Sequence, residues 1–131
     1  LMAREHTDYT LAFRHLALFA RGTGATPEPL RDLFIDRAAI DAWGARYLRR
    51  LELEPNDDAR RQVAMRSVNP AYVLRNHLAQ AAIEQAEAGD YTEVRQLHEV
   101  LRHPYATQPG RERYADLPPD WARGIEVSCS S

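Results

Sequence analysis

The sequence contains no lysine, since all seventeen of its basic residues are arginine. Chemistries that depend on a lysine ammonium are therefore excluded within these 131 residues. They include a Walker A phosphate loop, a kinase strand lysine and a Schiff-base nucleophile. The formal net charge of -2 also argues against general electrostatic attraction to DNA or RNA. We therefore expect no nucleic acid partner.

Cysteine is equally scarce, because Cys129 is the only one. One thiol cannot form a disulfide within the chain, so packing must hold the fold together, and a reducing, cytoplasmic setting is favoured. The uninterrupted apolar runs are only a few residues long, far below the length that crosses a membrane. No basic stretch followed by an apolar run opens the sequence, as a secretory signal would. We expect no membrane association.

Helical periodicity dominates the sequence, and no strand pattern stands out. Apolar residues at 9, 13, 16 and 20 follow the i, i+4, i+7, i+11 spacing of one helix face. Thr26-Pro27 is typical of a helix start and predicts a short helix there. The same 3–4 spacing predicts a long helix over about 37–53. Asn56 can cap a further helix that ends near 67, with Asp57 and Asp58 in its first turn. An all-α fold follows from this pattern.

Asn69-Pro70 is a second pair typical of a helix start, with a capping side chain followed by proline in the first turn. The sequence therefore predicts a helix that opens at Pro70. Gly89 suits the left-handed residue that ends such a helix.

Asp90 and Glu93 have the spacing of a capping box, in which each satisfies a backbone N–H at the start of a helix. The helix they would begin must end before Pro104. Residues 70–103 are therefore predicted to form an α-hairpin with a very short connection.

The helical pattern fails after residue 104, because prolines and a glycine interrupt it. Apolar residues there are spaced as anchors along an extended segment that lies over the helices or over a neighbour. They are Tyr105, Tyr114, Leu117, Trp121, Ile125 and Val127. We predict a single helical domain over 1–131. It consists of an irregular bundle of about five helices over 1–104 and an extended Pro/aromatic-rich C-terminal tail over 105–131.

No group of residues predicts a catalytic site or a metal site in this chain. His98 and His103 lie on one predicted helix, but five residues apart, which places them about 140° from each other around the helix axis. Two histidines that share a metal ion on a helix are four residues apart. We therefore expect no catalytic residue and no metal ligand here.

Four polar residues suggest other roles. Asn69, Arg75 and Asn76 stand beside apolar residues, so they form either a structural network that ties the tail or the preceding helix, or a contact to a missing catalytic part.

Cys129 lies near the terminus, where nothing rigid can orient a base beside it, so it is a poor nucleophile. It can still form a reversible disulfide if a partner thiol comes close.

Two segments resemble the SelO/YdiU family. The family's Asn-Pro-x-Tyr-Val-Leu-Arg-Asn segment is matched at 69–76, through Asn69, Pro70, Tyr72, Val73, Leu74, Arg75 and Asn76. Its ending, with cysteine or selenocysteine third from the end, is matched by Cys129-Ser130-Ser131. Shorter matches follow in the family's order at Asp8-Tyr9-Thr10 with Phe13, at Trp43, Tyr47, Arg50 and Leu51, and at Asp90-Tyr91, Leu101, Pro104-Tyr105, Pro118-Pro119 and Trp121. The resemblance covers nearly the whole chain.

The resemblance implies that this chain is the C-terminal region of a longer protein, an expectation that also fits its unusual Leu1-Met2 start. Members of the family are pseudokinase-fold protein adenylyltransferases, which bind ATP with Mg²⁺ or Mn²⁺ and transfer AMP to serine, threonine or tyrosine hydroxyls of proteins. Their nucleotide and metal ligands lie upstream of this region, so none carries over, and the chain alone is expected to be non-catalytic and without a cofactor. Cys129 does carry over, as a residue implicated in redox control through a bond to a cysteine elsewhere in the full chain.

The partners implied by the resemblance are the kinase-like lobes of the same full-length chain and the protein substrates of that enzyme. Self-association of the isolated fragment is also expected, because a surface that evolved to pack on a lobe is apolar. The alternative is a non-enzymatic helical protein-interaction module. The 70–103 hairpin resembles one unit of a helical-repeat protein, although such proteins need about three units and the preceding segments do not repeat it.

Overall fold

The computed structural model describes residues 1–55, 57–122 and 125, and these ranges contain α-helices and 3-10 turns but no strand. The all-α prediction is thereby confirmed. The helices are α1 (Met2–Glu5), α2 (Tyr9–Leu16), α3 (Glu28–Arg31), α4 (Arg37–Leu51), α5 (Asp58–Val68), α6 (Asn76–Glu87) and α7 (Thr92–Arg102). These seven are two more than the predicted five, and two of them, α1 and α3, are single turns of 4 residues.

The chain divides into two compact units, Leu1–Pro70 and Ala71–Ser131. The first contains α1 to α5, and the second contains α6, α7 and two 3-10 turns at Glu112–Tyr114 and Asp120–Ala122. The assignment of one domain to the whole chain stays a prediction.

Phe19 lies at the centre of the first unit and is fully buried. Its ring meets Tyr47 and Trp43 edge-on, with ring centroids 5.0 and 6.3 Å away, and those two rings stack on each other. Edge-to-face and offset-stacked pairs are the arrangements that aromatic quadrupoles favour. The buried core of this unit consists of Ala12, Phe19, Leu30, Phe34, Ile40, Leu48 and Leu51.

Gly44 allows α4 to approach this core closely. A Cβ atom at this position would lie 2.4 Å from Oγ1 of Thr26 and 3.1 Å from Cζ of Phe19. The first of these distances is far inside van der Waals contact, and the second involves a ring that is itself fully packed. Any side chain at position 44 must therefore displace the Thr26 hydroxyl and crowd the Phe19 ring.

Replacing Gly44 by valine is expected to lower the free energy of unfolding of the first unit by about 2 kcal/mol, since overpacking a filled core costs about 1–3 kcal/mol. Chemical denaturation followed by tryptophan fluorescence measures this loss. Ala45→Val is the matched control, because Ala45 lies on the exposed side of the same helix and the change there costs only helix propensity, less than about 1 kcal/mol. Equal losses in the two variants would show that the contact at Gly44 is not tight.

Charged residues of the first unit pair with each other. Asp58 accepts hydrogen bonds from the backbone N–H of Arg21 at 2.7 Å and from the Arg21 side chain at 3.2 Å, and it also pairs with Arg61 at 3.3 Å. The backbone N–H of Arg21 is the main reason why the pKa of Asp58 is lowered. Asp57 caps α5 by accepting from the backbone N–H of Arg60 at 2.7 Å. These carboxylates therefore order the start of α5.

The core of the second unit lies between α6, α7 and the segment that follows them. Its buried residues are Tyr72, Leu78, Ala82, Leu97, Val100 and Tyr114. The connection between the helices is as short as predicted, and Gly89 takes the left-handed conformation at its φ of 87° just after α6. The α-hairpin is therefore present, but its first helix is shorter than expected.

The predicted helix start at Pro70 is wrong, because α6 begins at Asn76. The backbone N–H groups of Ala71 and Tyr72 instead donate to the carbonyl of Pro104, at 2.7 and 3.2 Å. This tertiary pairing satisfies the two N–H groups outside a helix. Asn69 is the residue that ends α5, not a residue that begins the next helix.

The predicted capping box at the start of α7 is also wrong. Asp90 does accept a hydrogen bond from the backbone N–H of Thr92 at 2.9 Å. Glu93, however, turns away from the helix start and forms an ion pair with Arg113 at 2.8 Å. An ion pair to a distant arginine has replaced the local cap.

In the described part of the segment after residue 104, regular structure is limited to the two 3-10 turns, as expected for an extended tail. Tyr114 is buried, as expected of an anchor. Three other predicted anchors, Tyr105, Leu117 and Trp121, are exposed by 47%, 52% and 69%, so they are not buried against the helices of this chain. Their alternative role, contact with a neighbour, stays a prediction. Val127 lies outside the described residues.

None of the helices in the described ranges has both the length and the apolar character needed to cross a bilayer.

Candidate functional site

The segment 69–76, singled out by its sequence, spans the end of the first unit and the start of the second. Within the first unit, Asn69 terminates α5: its side-chain Nδ2 donates to the carbonyl of Met65 at 2.9 Å. Its own carbonyl accepts from Arg14 on α2 at 2.9 Å, and Arg14 also reaches the carbonyl of Arg66 at 2.9 Å. Free carbonyls at a helix end need such partners. Asn69 therefore ties α5 to α2, immediately before Pro70.

In the second unit, Tyr72 is buried and holds the chain that follows α7. Its hydroxyl accepts from the backbone N–H of Gln108 at 3.0 Å and donates to the Gln108 carbonyl at 3.4 Å. The Gln108 side chain donates in turn to the carbonyls of Val100 and His103, at 2.9 and 3.0 Å. Tyr72 and Gln108 together satisfy the end of α7.

Replacing Tyr72 by phenylalanine is expected to lower the free energy of unfolding of the second unit by about 1–2 kcal/mol, because the backbone N–H of Gln108 loses its acceptor. Denaturation followed by the fluorescence of Trp121 reads this unit, provided that Trp43 is replaced by phenylalanine. The control is Tyr91→Phe, since Tyr91 is more than half exposed. No difference between the two variants would contradict the role assigned to the Tyr72 hydroxyl.

The first turn of α6 contacts the end of the described chain. The Nδ2 atom of Asn76 donates to the carbonyl of Ile125 at 2.9 Å. The neighbouring His77 ring meets the Trp121 ring edge-on, with centroids 6.3 Å apart and planes at 89°. Desolvation by burial lowers the pKa of His77, and the positive charge of Arg75, just before the helix, lowers it further. Asn76 and His77 thus contact residues 121 and 125 of the C-terminal segment.

The pKa of His77 is expected to lie below its ordinary value of 6.5. Because the fold favours the neutral imidazole, the stabilisation is present above this pH and is lost as the pH falls below it. An NMR titration of the imidazole measures the pKa, and Trp121→Ala should raise it by letting water reach the ring. A wild-type pKa at or above 6.5 would contradict the assigned burial.

A polar cluster between α7 and the segment around the first 3-10 turn was not predicted from the sequence. Glu93 is buried and pairs with Arg113. The guanidinium carbon of Arg113 lies 4.1 Å from the centre of the Tyr114 ring, and the guanidinium group also donates a hydrogen bond to the Tyr114 hydroxyl. Gln96 accepts from Tyr114 at 2.9 Å and from Arg111 at 3.0 Å. The hydrogen bond to Glu93 raises the pKa of Arg113, and burial raises that of Tyr114. The only sequence signal was Glu93, three positions after Asp90, and it suggested a helix cap.

The chemistry of these arrangements is that of hydrogen bonding to backbone and of ion pairing. Asn69, Tyr72 and Asn76 all bind backbone groups, which favours the structural-network interpretation of the motif. Across residues 1–55, 57–122 and 125, no three histidine, cysteine, aspartate or glutamate side chains gather into a cluster that could hold a metal ion. Cys129, the predicted redox residue, lies outside the described residues.

Comparison with known proteins gives one family. The model of the family described as protein adenylyltransferase SelO matches residues 1–102. A protein nucleotidyltransferase YdiU of Cupriavidus pinatubonensis is 54% identical over 131 residues, which is 100% of this chain and 25% of that protein. Proteins with the same description are 54% identical over 130 residues in Burkholderia vietnamiensis and 56% identical over 126 residues in Herminiimonas arsenicoxydans. These cover 99% and 96% of this chain and 25% of each relative, so the chain spans about a quarter of the length of the curated relatives it matches.

Proposed function

Because this chain belongs to the SelO family of protein adenylyltransferases, we propose that it is the C-terminal helical part of a longer enzyme. That enzyme transfers AMP from ATP to serine, threonine or tyrosine hydroxyls of other proteins. The chain itself is non-catalytic and supports the kinase-like lobes that perform the reaction. The lobes and the substrate proteins are its partners, and the setting is cytoplasmic.

The observation that carries this proposal is the extent of the match. Relatives above 50% identity align over essentially the entire chain, yet three quarters of their length lies elsewhere. The chain's own chemistry supports a non-catalytic role, since it contains no lysine that could hold a nucleotide phosphate. Its Tyr72 and Asn76 contacts connect helices to the following segment, as a supporting part requires.

ATP and Mg²⁺ or Mn²⁺ would bind in the kinase-like lobes. In the described part of this chain, the carboxylates at the start of α5 and on α7 already pair with arginines. A divalent cation needs several oxygen ligands that are free to coordinate it. Asp58 and Glu93 therefore stabilise the fold through ion pairs and are not free to coordinate a cation.

Cys129 would act as a redox-regulatory residue of the full-length enzyme, by forming a disulfide with a cysteine outside this chain. Two thiols lose two electrons and two protons to an oxidant such as oxidised glutathione when that bond forms, and a reduced thiol pool reverses it. Alkylation of the full-length protein tests this role. Labelling of Cys129 should fall under oxidising conditions, and equal labelling under both conditions would contradict it.

Intact-mass analysis after incubation with ATP, Mg²⁺ and Mn²⁺ tests the division of labour. The full-length protein and this chain should be treated side by side under reducing conditions. We expect adenylyl adducts on the full-length protein and none on this chain alone. Adducts on the chain alone would mean that it contains an active site, and their absence from both would favour the interaction-module alternative.

A further inference from the structure

The first unit contains an open apolar groove of about 460 Å³. Its lining comes from all four helices α1 to α4, with Met2, Tyr9, Phe13 and Trp43 among the residues that face it. Arg46 is the one charged residue in the lining. The size is within the range of about 300–1,000 Å³ that binding pockets occupy, so it can take several apolar side chains.

Two aromatic side chains of this groove are left in water. Tyr9 and Phe13, one turn apart on α2, are exposed by 57% and 43%. Their rings stack with centroids 6.2 Å apart and planes at 25°, which makes one continuous apolar surface. Contiguous exposed apolar surface of this kind is typical of interaction sites.

Arg46 supplies a positive charge to the groove. Several other arginines of this unit have acidic partners, among them Arg31, which pairs with Asp41 at 3.0 Å, and Arg50, which pairs with Glu54 at 3.1 Å. Within the ranges that the structure describes, no acidic side chain pairs with Arg46, and none lines the groove. Aromatic residues and arginine are the types that dominate binding energy at protein interfaces.

We propose that this groove seats a segment of the same full-length polypeptide, from the three quarters that lie outside this chain. The segment places large apolar side chains over Tyr9 and Phe13 and a carboxylate against Arg46. This inference rests on the proposed function, because the relatives' length shows how much polypeptide is available to cover the groove.

The charge of the groove argues against a second copy of the chain as its occupant. In a twofold-symmetric contact the same patch meets itself. Groove against groove would bring two Arg46 guanidinium groups together, with no carboxylate in either lining to separate them. A partner with the opposite charge avoids this repulsion.

Photocrosslinking in the full-length protein tests the proposal. Phe13 is replaced by p-benzoylphenylalanine, and an equal mixture of ¹⁵N-labelled and unlabelled protein is irradiated, digested and analysed by mass spectrometry. The expected product joins position 13 to a peptide outside these 131 residues, with both peptides carrying the same isotope. A mixed-isotope product would show contact between molecules, and the absence of any peptide adduct would show a groove open to solvent; either result overturns the proposal.

Arg46→Glu provides the second readout, since charge reversal should repel the carboxylate of the bound segment. We expect the yield of the intramolecular crosslink to fall about fivefold. Arg49→Glu is the matched control, because Arg49 is exposed on the same helix and does not line the groove. Equal yields in the two variants would overturn the charged contact. The crosslink requires neither ATP nor AMP transfer, so its failure is distinct from a failure of the proposed enzymatic activity.

Discussion

Replacing Phe19 by alanine is expected to lower the free energy of unfolding of the first unit by about 4 kcal/mol, since removing a buried aromatic ring costs about 3–5 kcal/mol. The ring is fully buried and contacts both Trp43 and Tyr47, so its loss leaves a cavity among aromatic side chains that cannot readily close it. Denaturation of a Trp121→Phe background measures the loss, because Trp43 is then the sole tryptophan.

Phe13→Ala is the matched control for this prediction. Phe13 lies on α2 of the same unit but is exposed by 43%, so its removal should cost only about 1 kcal/mol. A Phe19→Ala variant no less stable than Phe13→Ala would contradict the position of Phe19 at the centre of this core.

Replacing Tyr114 by alanine is expected to destabilise the second unit by a similar amount, about 4 kcal/mol. The ring is buried against α7, and its hydroxyl donates to Gln96. Its removal should release the segment around the first 3-10 turn. Hydrogen exchange should show faster exchange of amides in that segment, and denaturation followed by Trp121 fluorescence should give the loss of stability.

Tyr114→Phe distinguishes the contribution of the ring to the stability of the unit from that of the hydroxyl. It retains the buried ring over which Arg113 lies and loses the hydrogen bonds that the hydroxyl forms with Gln96 and Arg113, so it should cost about 1–2 kcal/mol. If the phenylalanine variant were as unstable as the alanine variant, the polar cluster would outweigh the packing of the ring.

Local patterns in the sequence predicted most of the helices well. Periodic apolar residues placed a long helix over about 37–53, where α4 runs over Arg37–Leu51. Gly89 lies just after α6 in the left-handed conformation, as its conformational freedom suggested. These features depend on neighbours a few positions away, which a sequence displays directly.

Features decided by distant contacts could not be read in this way. Asn69-Pro70 has the local signature of a helix start, but Ala71 and Tyr72 donate to the carbonyl of Pro104, more than thirty positions away in the chain. Glu93 likewise pairs with Arg113, 20 positions further on, and does not form the predicted helix cap. The sequence alone does not show whether a local cap or a contact with a distant residue forms.

The candidate site shows the same division. The order of motifs placed the chain in its family, which the comparisons confirm. The contacts made by Asn69, Tyr72 and Asn76 needed the structure, because their partners are backbone groups of residues with no distinctive sequence. The apolar groove beside Arg46 escaped the sequence too, since Tyr9 and Phe13 have the spacing of an ordinary buried face.

The most direct test of the account is the fate of each phosphate of ATP. The full-length protein is incubated with a protein substrate pool, Mg²⁺ and Mn²⁺, using ATP labelled either at the α or at the γ phosphate, with this chain alone in parallel. For an adenylyltransferase, we expect the label on the α phosphate to become covalently bound to protein hydroxyls and the label on the γ phosphate to stay off protein. This chain alone should transfer neither label. Transfer of the γ label would show a phosphotransferase and would contradict the proposed adenylyltransferase.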